Sequence, residues 1–170
     1  MNTMTPFAVL LVAAVACVVD VRTRRIPNVL TLSAALGGLL AHWVVDGPNG
    51  ALFAASGWLV GLLVFMPFFM LRGMGGGDIK LLAALGAWLG PGETLWLAIY
   101  TGIAGGVLAL VVAAWKGYLR TALRNVKSMA GFWVVSGLRP VPGLTLESKG
   151  APRLAYAVPI LAGTVVTLWL

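Results

Sequence analysis

From residue 94 to residue 115 the sequence runs without a single charged side chain. A run of that length is enough to cross the hydrocarbon core of a bilayer, which takes about 20 apolar residues. Inside lipid every backbone N–H and C=O needs a partner within the protein, so such a run must be helical. Comparable apolar runs cover residues 6–19, 29–45, 51–71 and 154–170, and a shorter one covers 79–89. The expectation is an all-α, polytopic membrane protein with about six transmembrane helices, the fourth undersized, forming one domain over residues 1–170. Composition agrees: 60% of residues are hydrophobic and only 10% charged, with mean hydropathy +0.97. A soluble domain carries about 25% charged residues. The opening MNTMTPFAVLL has no Lys or Arg before its apolar run, so it reads as a retained helix rather than a signal peptide.

The charges sort by connection. Arg22, Arg24 and Arg25 lie in the first link, Arg72 and Lys80 in the third, and Lys116, Arg120, Arg124, Lys127, Arg139, Lys149 and Arg153 in the long stretch 116–153; these are all 12 basic residues. The intervening links, 46–50 and 90–93, hold only Asp46 and Glu93. The positive-inside rule places the basic links, including the loop 116–153, in the cytoplasm and both termini outside. The net charge of +7 is therefore a topology signal that suits anionic lipids, and nucleic acid is not an expected partner.

Within 116–153, Lys116, Arg120, Arg124 and Lys127 recur at helical spacing, with Leu119, Ala122, Leu123, Val126 and Met129 elsewhere around the helix. This is either an amphipathic helix on the inner leaflet or a solvated extension of the fifth span. The Pro- and Gly-rich LRPVPGLTLESKGAPR that follows reads as a loop. Gly57 and Gly61, and Gly102 and Gly106, are small residues four apart that let helices approach closely. Pro67 and Pro159 should kink their segments. His42 stands four residues before Asp46 and could pair with it. Cys17, the single cysteine, reads as a small buried apolar residue.

Of five acids, Asp46, Glu93 and Glu147 sit in polar links. Asp20 ends the first apolar segment and Asp78 begins the fourth. Each has an ordinary explanation: Asp20 could pair with Arg24, and Asp78 could cap a helix N-terminus. Two features weigh against these. Counted from Asp78, the fourth segment rises only about 18 Å against a core of about 30 Å, so Asp78 should start below the membrane surface. An acid at that depth is a functional candidate. Gly73, Gly75, Gly76 and Gly77 also give an approach free of side chains, as an extended peptide would need.

Two carboxylates facing one cavity share a proton, because like charges a few ångströms apart resist joint ionisation. One member then takes a proton from water while the other donates to a scissile carbonyl, which is peptide hydrolysis without a covalent intermediate. The sole histidine lies at the outer side, so no Ser–His or Cys–His set competes, and no His/Cys cluster offers a metal site. No cofactor is expected. The competing class is a small membrane transporter using Asp20 and Asp78 as proton or cation sites.

At these residues the chain resembles the type IV prepilin peptidases, which belong with the GxGD intramembrane aspartyl proteases. The resemblance rests on Asp20 followed by RIPN (25–28), on GGGDIK (75–80) and on RLAYAVPILAGT (153–164). It implies that Asp20 and Asp78 are the catalytic pair. Gly75 and Gly77 match the motif glycines with Gly76 as the variable position, and Pro27 and Asn28 join them as substrate-binding or loop-shaping residues. Lys80 matches a lysine common after the motif, where it could hold a phosphate or act on the charge state of Asp78. The implied substrate is a prepilin or prepilin-like protein with a short basic leader and an apolar helix, cut at the cytoplasmic face of the bacterial inner membrane. Large members carry an insert with paired cysteines and also N-methylate; this chain has neither feature, so methyltransferase activity is not expected. It looks like the small peptidases of tight-adherence (Flp-type) pili. A homo-oligomer is compatible with the sequence. Lipoprotein signal peptidases, of similar size, place their acids toward the outer face and so fit less well.

Overall fold

The computed structural model describes residues 4–137, 139, 141 and 155–170. The described residues form five helices: α1 (Met4–Thr23), α2 (Asn28–Met70), α3 (Gly76–Trp115), α4 (Leu119–Ser136) and α5 (Ala157–Trp169). Glu147, Lys149 and Arg153, with most of the Pro- and Gly-rich connection, lie outside the described residues. Three helices, α1, α2 and α3, are long and apolar enough to cross a membrane.

The two longest helices are each broken once. Gly47 adopts φ 59°, ψ −141° within α2, and Gly90 adopts φ 77°, ψ 176° within α3. Only glycine enters these regions without strain, and both positions are followed by a proline, Pro48 and Pro91, which restarts a helix well because its first turn needs no N–H donors. Apolar segments 2 and 3 are therefore the two arms of α2, and segments 4 and 5 the two arms of α3.

Contacts along the arms give their directions. In the first arm of α2, Asn28 meets Lys80 and Ala34 meets Trp88, so it runs parallel to the first arm of α3. In the second arm, Phe53 lies against Gly90, Gly57 against Gly86, Gly61 against Leu82 and Ala83, and Phe69 against Gly76, so it runs antiparallel. The helix α2 thus doubles back at Gly47 and holds the first arm of α3 between its halves. From Ile79 to Gly90 that arm is buried except at Lys80 and Trp88, and its side chains are apolar nearly all round, as a helix enclosed on every side requires.

Glycine makes the enclosure possible. A Cβ at Gly61 would lie 2.7 Å from the Leu82 carbonyl oxygen and 2.8 Å from Ala83 Cα, and a Cβ at Gly57 would collide with the Gly86 carbonyl. The expected close approach at 57 and 61 is present. The pair at 102 and 106 is different: nothing lies within 4 Å of a Cβ at either. The packed stripe of the second arm is Thr94, Leu97, Ala98, Thr101 and Gly105, set by α5, which lies against it with Gly163 at Thr101 and Tyr156 at Gly105.

Other expectations are corrected. Pro159 sits in the first turn of α5, fully buried, where its missing N–H breaks no helical bond, so it does not kink the segment. His42 does not turn to Asp46; its Nε2 bonds the Trp88 carbonyl oxygen at 3.0 Å and its ring meets Phe53 edge-on. The amphipathic stretch is a discrete helix, α4, separated from α3 by a turn at Gly117 with φ 74°.

Candidate active site

On α1 the buried positions are Thr5, Val9, Ala13, Ala16 and Asp20. Their spacing of three and four residues makes one stripe on a helix, so Asp20 belongs to the packed face. Only 6% of Asp20 is exposed. A buried carboxylate needs hydrogen-bond partners. Its Oδ2 accepts the Ala157 backbone N–H at 3.3 Å. That amide is the first of α5, one of the four N–H groups a helix leaves unpaired at its start, and the helix dipole there favours a negative charge.

Asp78 comes from the opposite direction in the chain. α2 ends in a Schellman motif: Gly73 N–H bonds the Phe68 carbonyl at 2.9 Å and Arg72 N–H bonds the Phe69 carbonyl at 2.8 Å, with Arg72 at φ 57° in the position glycine usually fills. Met74 then drops into the core, 4% exposed, and Gly75 starts α3 with extended backbone, φ −75° and ψ 144°. Asp78 is not the N-cap residue; it is the third residue of α3, and its carboxylate accepts the Gly75 backbone N–H, the returning half of a capping box. Gly76 and Gly77 are helical, so the unwound stretch is confined to residues 71–75.

The two carboxylates, Asp20 and Asp78, lie within electrostatic reach of each other. The Tyr156 phenol is within electrostatic reach of Asp78, and its hydroxyl lies 2.7 Å from where a Cβ on Gly105 would be. The second arm of α3 continues from Gly105 to Trp115, about 15 Å further, so the Tyr156 hydroxyl sits well below the end of that helix.

The other residues singled out in the sequence gather at the same end of the bundle but not all at the carboxylates. A Cβ on Gly75 would stand 2.9 Å from Asp78 Oδ2, so that glycine leaves room for the carboxylate. A Cβ on Gly77 would stand 3.3 Å from Ile26 Cβ, which seats the RIPN turn against the start of α3. Pro27 is the N-cap of α2, and its carbonyl accepts the N–H groups of Leu30 and Thr31. Gly76 faces the Phe69 ring. Lys80 Nζ donates to Asn28 Oδ1 at 3.0 Å, joining the two motifs on a side of α3 about 200° around the helix from Asp78. Among the described residues no group of three or more His, Cys, Asp or Glu could hold a metal ion.

Tyr156, the Ala157 amide and Gly105 were not picked out from the sequence. One signal was available: Pro159 fits the first turn of a helix, which would have put the helix start, and its free amides, at about residue 157.

A family model described as the type IV leader peptidase family matches residues 7–110, a span that contains both aspartates and both glycine breaks. The chain is similar to a prepilin leader peptidase/N-methyltransferase of Dickeya chrysanthemi, with 34% identity over 138 residues, 78% of this chain and 47% of that protein. It is similar to a protein of the same description in Aeromonas hydrophila, 32% identical over 159 residues, 89% of this chain and 47% of the relative. A type 4 prepilin-like proteins leader peptide-processing enzyme of Escherichia coli is 31% identical over 103 residues, 56% of this chain and 38% of that enzyme. The chain thus spans about half the length, or less, of these curated relatives. No solved structure matches it. On the extent of the family match, which runs through both carboxylate-bearing helices, the chain belongs to the type IV leader peptidase family.

Proposed function

We propose that this chain is an aspartyl endopeptidase, working within the bacterial inner membrane, that removes the short basic leader of type IV prepilins or prepilin-like proteins at the cytoplasmic face. The observation that supports the reading is that Asp20, near the end of α1, and Asp78, at the start of α3, lie within electrostatic reach of each other. The pair holds one proton between them. The ionised carboxylate takes a proton from water as the water attacks the scissile carbonyl carbon, and the protonated carboxyl donates to the carbonyl oxygen. The resulting diol collapses, the C–N bond breaks, and the leaving amine takes up a proton. Gly73 and Gly75, in the unwound stretch before Asp78, leave backbone open for an extended substrate. We take residues 1–170 as one peptidase domain in this scheme.

The membrane arrangement follows from lengths and charges. The arms 28–46 and 48–70 rise about 28 Å and about 34 Å, and the arm 91–115 about 37 Å, each suited to one crossing of a core of about 30 Å. With α1, α5 and the short arm beginning at Asp78, that gives six segments, the short one enclosed by protein. Arg22, Arg24, Arg25, Arg72 and Lys80 lie at the end that holds the carboxylates, and Asp46 and Glu93 flank the glycine breaks at the other end. Positive-inside placement then puts the aspartates at the cytoplasmic face and the N-terminus outside.

A transport role has less support. The buried, apolar Leu81, Leu82, Leu85 and Leu89 fill the path from Asp78 toward the far end. The names of the Dickeya chrysanthemi and Aeromonas hydrophila relatives also include N-methyltransferase. We assign only the peptidase step here, because the two carboxylates supply that chemistry and residues 1–170 hold a single cysteine, Cys17, within α1. The small peptidases of Flp-type pili are the branch this combination resembles. Co-expression with an Flp-type prepilin tests the reading: the pilin should migrate faster on a gel and carry an unmethylated new N-terminus by mass. A pilin that keeps its leader contradicts it.

A further inference from the structure

The two arms of α2 leave a groove between them that the peptidase reading does not use. It encloses about 280 Å³, with Asn28, Leu32 and Ala35 on one wall, Trp58 and Leu62 on the other, and Lys80 of α3 at its polar end. Lys80 follows Asp78 by two residues, about 200° around the helix, so the groove and the carboxylates occupy opposite faces of α3. Leu32 is 61% and Trp58 40% exposed, so the groove opens to the outside of the bundle, where an apolar exterior faces lipid.

The chemistry of this groove has two parts. Lys80 is exposed and donates to the neutral Asn28 side-chain oxygen. With that oxygen occupied, the Asn28 amide keeps two N–H donors and the ammonium two more. One positive charge and a fan of donors therefore sit together with no acceptor of opposite charge among them, at the basic end of the molecule. Behind them the walls are apolar, and they run along α2 toward the membrane interior. A phosphate at the mouth and a hydrocarbon chain along the walls satisfy both parts.

We propose that the groove binds an anionic phospholipid, its phosphate on Lys80 and Asn28 and one acyl chain between the arms of α2. Basic pockets between transmembrane helices on the cytoplasmic side are suited to such headgroups. The other amphiphile available is the substrate itself. A peptide lying in this groove would be separated from Asp20 by the body of α3, which is why the lipid is the occupant the geometry favours. The inference does not depend on the peptidase reading.

The test is native mass spectrometry of the full chain, released from detergent after equilibration with equal amounts of phosphatidylglycerol and phosphatidylethanolamine. The unaltered protein should retain phosphatidylglycerol preferentially. Lys80→Gln should cut that retention about fivefold, the effect of one cation near a headgroup. Ala35→Leu, which narrows the trough, should lower retention of both lipids. Arg120→Gln, on α4, should change neither. Equal retention by Lys80→Gln and the unaltered protein would overturn the proposal, as would an equal loss in Arg120→Gln. So would a Lys80→Gln protein that keeps its lipid but loses cross-linking to a prepilin peptide, which would give the groove to the substrate.

Discussion

The Asp20 carboxylate accepts the backbone N–H of Ala157 across 3.3 Å, a bond between residues 137 positions apart. It ties the end of α1 to the start of α5 and fixes one half of the carboxylate pair from behind. The other half is fixed locally, by the Gly75 amide on Asp78. A pair held by one distant and one local contact has a geometry that depends on helix packing, and several expectations follow.

Substitution at Gly75 acts on the carboxylate and not on the fold. Its backbone, φ −75° and ψ 144°, accepts an alanine, but the new Cβ would stand 2.9 Å from Asp78 Oδ2. Gly75→Ala should leave thermal stability in detergent within a degree or two while lowering kcat about ten- to a hundredfold, the scale of a sub-ångström to ångström misplacement. A cleavage assay on purified protein alongside a melting curve measures both.

The glycines of the second α3 arm should separate cleanly. Gly105→Ala pushes a Cβ to 2.7 Å from the Tyr156 hydroxyl, so a phenol within electrostatic reach of Asp78 has to move, and cleavage should slow about tenfold or more. Gly102→Ala and Gly106→Ala meet nothing within 4 Å and should cleave within about twofold of the unaltered rate. Equal effects at all three positions would mean that the α3–α5 contact is placed differently.

Gly57 supports the hairpin of α2 around α3. Gly57→Val would drive side-chain atoms into the Gly86 carbonyl and Gly90 backbone, with no flexible side chain there to yield. The expected loss is about 1–3 kcal/mol or more, read as an earlier midpoint in denaturant titration of the detergent-solubilised protein. The same substitution at the open Gly102 should cost far less.

Much of this was readable in the sequence, for physical reasons. The turns at Gly47 and Gly90 were marked by Gly–Pro links flanked by long apolar runs, and apolar length in lipid leaves helix as the only solution. Asp78 was marked by the glycines before it and by the shortness of its arm. Asp20 was marked by its place at a helix end; its burial was not, because α1 is apolar nearly all round and the packed stripe Thr5, Val9, Ala13 and Ala16 shows only once its neighbours are in place. The contribution of α5 was not readable. A backbone amide carries no side-chain signature, and Tyr156 before an apolar helix looks like any interfacial aromatic. The packing face of the second α3 arm was misread because both Gly102/Gly106 and Thr101/Gly105 have helical spacing, and only the partner helix decides between two stripes 100° apart.

A carboxylate pair that works with one shared proton should give a bell-shaped dependence of kcat/KM on pH. Activity falls at low pH, when both members are protonated and neither can accept from water. It falls at high pH, when both are ionised and neither can donate. The two limbs belong to the pair, so Tyr156→Phe should move the profile as well as its height if the phenol acts on Asp78. A profile that rises to a plateau and stays flat would remove the proton-donating role.

The most direct measurement is leader cleavage by purified Asp20→Asn and Asp78→Asn proteins reconstituted in lipid vesicles. Both substitutions keep size and shape, so insertion and melting should be preserved. Each should lower the rate about 10²- to 10⁴-fold, and the double variant should be no worse than the poorer single one, because the two act as a unit. Near-normal cleavage by either single variant would contradict the account.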